Sequence, residues 1–100
     1  MPIVEIHIFP PLSYKMTSKR EGALIIKKQI QPDTTLVDLL DRLDEENHDA
    51  WQKLYDRNKK KMRPPVTTIL NGKALSPSVL VHTVLTDGDQ IKLILVFAGG

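Results

Sequence analysis

Few residues of this 100-residue chain could carry chemistry, and the most distinctive are the last three, Ala98-Gly99-Gly100. Neither Gly99 nor Gly100 has a β-carbon, so another protein could bring backbone carbonyls and a nucleotide phosphate close to the carboxylate of Gly100. A carboxylate resists nucleophilic attack because its charge is delocalised over both oxygens. Condensation with ATP to an acyl-adenylate installs a good leaving group; a sulfur donor then yields a terminal thiocarboxylate, or a lysine amine yields an amide. In either route the base, the metal and the stabilisation of developing charge belong to a partner enzyme. The catalytic candidates are therefore Gly100, as the site of adenylation and thiocarboxylation, and Gly99. The chain is expected to bind no cofactor of its own, ATP being consumed by the activating enzyme, and to have no autonomous active site.

The run that feeds this tail is apolar. If Ile91, Leu93 and Leu95 turn inward, strand alternation turns Ile94 and Val96 outward, and these two with Phe97 and Ala98 are the candidate partner-binding residues. Other chemistry is poorly supported. His7, His48 and His82 have no metal-ligand spacing, and a chain without cysteine has neither thiol nucleophile nor thiolate ligand, so no metal site is expected. Asp87 and Asp89 flank Gly88 as a turn would require and are not read as an acid–base pair.

Charge is distributed unevenly around a small formal net value of +2. Residues 33 to 49 hold Asp33, Asp38, Asp41, Asp44, Glu45, Glu46 and Asp49 against only Arg42, whereas Lys53, Arg57, Lys59, Lys60, Lys61 and Arg63 make the next stretch basic. Two surface patches of opposite sign are expected. The stretch from Arg57 to Arg63 reads as a solvated loop. It has no accompanying aromatic motif for reading bases, so nucleic acid is not an expected partner.

Several elements must position the tail. Val4, Ile6 and Ile8 alternate with Glu5 and His7 in a strand over Ile3 to Phe9, stopped by Pro10-Pro11. Residues 12 to 21 read as a polar, basic loop ending near Gly22. A second strand is expected from about Ala23 to Ile30, with Leu24, Ile26 and Ile30 on one face. Thr35 is a candidate N-cap with Asp38 three residues on, and Leu36, Leu39, Leu40 and Leu43 form the apolar stripe of a helix. Ala50, Trp51, Leu54 and Tyr55 continue the pattern, so one long helix or two short ones could occupy residues 35 to 57. Val66 to Leu70 is a strand leading into an Asn71-Gly72 turn. Leu75, Val79, Leu80 and Val81 are further core candidates. Asp87-Gly88-Asp89 turns the chain into a last strand from Ile91. A helix laid across a mixed sheet would bury the leucine stripe, giving an α+β roll.

Composition places one such domain in a soluble class, with 41% apolar and 26% charged residues and one core's worth of chain. No run approaches the roughly 20 apolar residues needed to cross a bilayer, and Met1 leads straight into a strand pattern with no secretion leader. A cytoplasmic location and no membrane partner are the expectation.

ILNGKAL followed by VLTDGDQIKLILVFAGG resembles the C-terminal third of the small sulfur carriers of the ubiquitin-like superfamily, above all the small subunit of molybdopterin synthase, which is related to the thiamine-biosynthesis sulfur carrier. Thr35-Leu36-Val37-Asp38-Leu39-Leu40 resembles the start of the family helix. The resemblance implies a β-grasp (ubiquitin-like) roll, with a mixed sheet of four or five strands and one main helix. It would occupy residues 1–97, followed by a flexible tail over residues 98–100. It also implies adenylation of Gly100 by an E1-like enzyme and conversion to a thiocarboxylate by a sulfurtransferase or other sulfur donor. Sulfur would then be delivered to an acceptor such as the molybdopterin synthase large subunit, in molybdenum cofactor biosynthesis. Other branches of the family deliver sulfur to the thiamine thiazole or to tRNA, or are joined to protein lysines. Where the molybdopterin branch usually has two prolines before its end, this chain has Leu95-Val96-Phe97-Ala98.

Overall fold

Alternation of apolar and polar side chains builds the first strand, β1 (Ile3–Ile8), in which Val4, Ile6 and Ile8 are completely buried. The computed structural model describes residues 1–16 and 22–95. After β1 the chain passes through Pro10-Pro11 and forms a short helix, α1 (Ser13–Met16). This departs from the expected polar loop, because Leu12 and Ser13 are buried and Met16 packs against the core. One apolar residue on each side of a helical turn lets the connection cover core surface while its lysine stays outside. Strand β2 (Leu24–Gln29) returns antiparallel to β1, with Leu24 opposite Ile8 and Gln29 opposite Ile3.

The leucine stripe forms α2 (Leu36–Glu46). Thr35 caps it reciprocally: its side chain accepts from the Asp38 N–H at 3.1 Å, and the Asp38 carboxylate accepts from the Thr35 N–H at 3.0 Å. The capping box satisfies backbone donors that the first turn leaves without partners. Leu36, Leu39, Leu40 and Leu43 are all buried, each contributing roughly 2 kcal/mol relative to exposure. The helix stops at Asn47, whose backbone leaves helical geometry, and a separate turn, α3 (His48–Trp51), follows. Two helices are observed, not one long one, but they end at Trp51: residues 52 to 54 form a turn and Tyr55 lies in a strand, so the helical pattern expected as far as residue 57 is not continued.

Beyond α3 the basic stretch is only in part the solvated loop expected: Arg57 to Lys60 form an exposed turn, but that turn joins the arms of a small hairpin, β3 (Tyr55–Asp56) with β4 (Lys61–Met62), in which Tyr55 opposes Met62. Burial of Leu54, Tyr55 and Met62 attaches the hairpin to the core. The Asp56 carboxylate accepts from the Lys59 N–H, and Lys60 takes a left-handed φ of 56°, which together turn the chain over four residues. Arg57 pairs with Glu45 and lies within 4.0 Å of Asp41 and Asp44, while Lys60 reaches Asp41 at 2.6 Å. The acidic face of α2 and the basic stretch therefore neutralise each other across the hairpin. They are not two separate patches.

Strand β5 (Val66–Leu70) turns at Asn71-Gly72, both at positive φ, into β6 (Lys73–Leu75). A 3-10 turn over Pro77–His82 then buries Leu80 but leaves Val79 and Val81 exposed, correcting the expectation that both valines belong to the core. With three residues per turn, positions 79 and 81 point away from the side that Leu80 occupies. Strand β7 (Gln90–Leu95) completes a five-stranded sheet in the order β2-β1-β7-β5-β6. Only the β1–β7 pair is parallel. Inward residues of the sheet, the α2 stripe, Trp51 and Leu80 form one core, and this mixed sheet with one dominant helix is a β-grasp fold.

Candidate functional site

The last strand before the C-terminal residues is the central one of the sheet. β7 is central, with Glu5 to Ile8 of β1 opposite Gln90 to Leu93 on one side and Val66 to Leu70 of β5 opposite Leu95 to Ile91 on the other. The backbone is also tied at its exit, where the Phe9 N–H donates to the Leu93 carbonyl at 3.1 Å. Ile91 and Leu93 are fully buried and Leu95 packs against the core, as the alternation predicts.

The start of β7 is held by side chains of the two turns that frame it. Asp89, largely buried, accepts from the Thr86 N–H at 2.8 Å, the Asn71 amide at 2.8 Å and the Thr86 hydroxyl at 3.2 Å. The Asn71 side-chain oxygen accepts from the Gln90 N–H at 2.9 Å, and the Asp87 carboxylate accepts from the Ile3 N–H at 2.8 Å. Gly88 sits between them at φ 85°, where a β-carbon would be strained. The two aspartates thus close turns, and this clasp sets the register with which β7 carries its end outward.

Of the residues assigned to the site from sequence, Ile94 is described. It lies on the outward face of β7, half-buried, opposite Thr67 of β5. Lys92 shares that face, flanked by His7 of β1 and Ile69 of β5. The His7 ring donates to the Glu5 carboxylate at 3.0 Å, and this bond, with Lys27 beside it, holds the Glu5 carboxyl below its usual range. Val96, Phe97, Ala98, Gly99 and Gly100 lie outside the described residues. Among the described residues no group of three or more histidine, aspartate or glutamate side chains is placed to hold a metal ion. No helix among them is long and apolar enough to cross a membrane.

A groove of about 270 Å³ opens beside the end of β7, and sequence reasoning missed it. Met62, Pro64, Pro65, Val66, Leu75 and Leu80 line it, with Lys61 among its walls. Its relation to the strand end follows from register, because Val66 is the residue paired with Leu95. In the sequence the two prolines read only as punctuation after a basic stretch. Met62 and Leu80 come from elements whose packing together no periodicity announces.

The model of the ThiS family matches residues 22–100, leaving β1 and α1 outside the matched span. Solved structures of similar fold include SAMP1 from Haloferax volcanii, with 18% identity, a TM-score of 0.69, and 98% of this chain and 99% of that one covered. The small archaeal modifier protein 1 from Methanosarcina acetivorans is 18% identical, with a TM-score of 0.62 over 100% of this chain and 98% of its own. The HVO 2177 protein from H. volcanii is 23% identical, with a TM-score of 0.63 over 99% and 87% respectively. No curated protein matches the chain. These structural likenesses concern the fold, and none of the matches singles out the molybdopterin synthase small subunit. A family match spanning β2 to Gly100, on a β-grasp sheet whose central strand leads into the Gly-Gly end, shows that the chain belongs to the ThiS family of ubiquitin-like sulfur carriers.

Proposed function

We propose that this protein is an acyl carrier activated at Gly100. An E1-like adenylating enzyme condenses the carboxylate with ATP, releasing pyrophosphate. Attack by a sulfide equivalent at the acyl carbon then breaks the bond to the adenylate, releasing AMP and leaving a thiocarboxylate for delivery to an acceptor enzyme. The observation that carries the reading is that the family match runs through Gly100, five residues on in sequence from the end of the central strand β7. A central strand suits the task, since hydrogen bonding to its neighbours fixes where the segment beyond it begins.

A second reading is favoured by the structures above named as modifiers, which align over nearly all of this chain. In it the same adenylate is attacked by a protein lysine amine, forming an amide and releasing AMP. Molybdopterin synthesis, thiazole synthesis and tRNA thiolation are the candidate destinations of sulfur in the first reading. With Leu95-Val96-Phe97-Ala98 leading to the end of the chain, no residue of this protein favours the molybdopterin acceptor over the other two.

Intact mass of the protein recovered from its cells tests both. An oxygen-to-sulfur exchange at the C terminus is expected for the carrier. Lysine-linked adducts ending in Gly99-Gly100 identify the modifier. A free C terminus with neither, under conditions in which the activating enzyme and ATP are present, overturns both.

A further inference from the structure

The carboxylates of α2 are largely committed. Asp41, Asp44 and Glu45 face Arg57 and Lys60, and Glu46 pairs with Lys28 and Arg42. Positive charge is therefore left over, on lysines that have no carboxylate partner among the described residues. Lys61 is one of these, and it stands in the wall of the groove beside the end of β7. The rest of that wall is mostly apolar, from the Pro64-Pro65 pair, Met62, Val66, Leu75 and Leu80. Pro64 and Pro65 are themselves exposed, and Val66 and Leu75 are only half-buried, so the apolar surface is open to solvent.

We propose that this groove docks an extended acidic segment of the protein that handles the tail, with one large apolar side chain seated between Pro64, Val66 and Leu80 and a carboxylate beside it meeting Lys61. The choice of an acidic occupant follows from charge complementarity. Among the described residues Lys61 makes no ion pair, and Asp56, opposite it in the hairpin, already pairs with Arg63 at 3.8 Å, so two cations flank one carboxylate and the local field favours an anion. An apolar anchor follows from the lining, which apart from Lys61, Thr67 and Thr68 consists of proline and aliphatic side chains. Its place across the ladder from Leu95 puts the bound segment next to the strand that presents the tail, so one partner could engage both. This inference rests on the carrier reading for the identity of the partner, and not for the binding itself.

The test uses the whole chain and a synthetic probe, the acetylated and amidated peptide Glu-Asp-Phe-Leu-Asp-Glu, titrated while methyl and amide resonances are followed by NMR. Expected are saturable shifts at Met62, Val66, Leu75 and Leu80, with affinity weakened by about fivefold in Lys61→Glu and unchanged in Lys27→Glu. Lys27 is exposed on β2, at the opposite edge of the sheet, and supplies the same change of charge. The peptide in which both apolar residues are replaced by serine should not bind. Removal of Gly99-Gly100 should leave binding intact, which separates this proposal from the fate of the carrier reading. It is overturned if the peptide does not bind, if Lys61→Glu and Lys27→Glu act alike, or if the serine peptide binds equally. Stronger shifts of the same resonances by a single-stranded oligouridylate would also overturn it, assigning the groove to nucleic acid.

Discussion

Asp89 and Tyr55 show how single polar groups are used here to hold apolar elements in place. Asp89 accepts from three donors in a largely buried position, and an amide in its place would set an N–H2 group against at least one of them. Asp89→Asn is expected to cost about 1 to 3 kcal/mol, read from the urea unfolding midpoint, and to speed amide exchange first at Gln90 and Ile91. Unchanged exchange at those two positions would contradict the clasp. The buried Tyr55 hydroxyl donates to the Asp41 carboxylate at 2.7 Å. Burial raises its pKa well above the ordinary value, and the bond to the Asp41 charge raises it further. The folded state therefore keeps the phenol proton after the unfolded state begins to lose it near pH 10, and stability should fall as pH rises beyond that value. Tyr55→Phe should lower stability by about 1 kcal/mol at neutral pH and flatten the alkaline decline, measured as unfolding free energy from pH 8 to 11.

Elements with a complete local signal are legible in the residues themselves. The Thr35 to Asp38 box, the four leucines and the alternation of β1 and β7 each specify an element by period and cap alone. Replacing Thr35 with alanine removes one arm of the box and is expected to cost about 1 kcal/mol, with the loss appearing as faster exchange in the first turn of α2. Loss confined to other elements would show that the cap is incidental. The β3–β4 hairpin is illegible for the opposite reason. Each arm is two residues long, below any period, and what holds it is burial of Leu54, Tyr55 and Met62 together with the meeting of Arg57 and Lys60 with carboxylates 12 to 19 residues away in sequence. Val79 and Val81 mislead because apolar type does not guarantee burial, and 3-10 geometry turns only Leu80 inward. The candidate site divides in the same way. Ile94 can be placed from parity, but the groove depends on segments that only the folded chain brings together.

At the scale of the molecule, the fold places β7 at the centre of the five-stranded sheet. The termini of β7 are held differently, the first by the Asp87-Gly88-Asp89 clasp and by pairing with both β1 and β5, the last, beyond Leu93, by pairing with β5 alone among the described residues. Function is assigned to the segment beyond, so stability and activity should be separable. Deleting Gly99-Gly100 should leave the thermal unfolding midpoint essentially unchanged, because all of the core lies upstream. The same deletion should abolish every activated form. The most direct measurement is the intact mass of the C terminus after incubation with the cell's activating enzyme, ATP and a sulfur donor, for the full chain and the deleted one. Expected is an oxygen-to-sulfur exchange or an amide to lysine at Gly100 in the full chain and neither in the deleted chain. A full chain that folds, ends in a free Gly100 carboxylate and gains neither would contradict activation at Gly100.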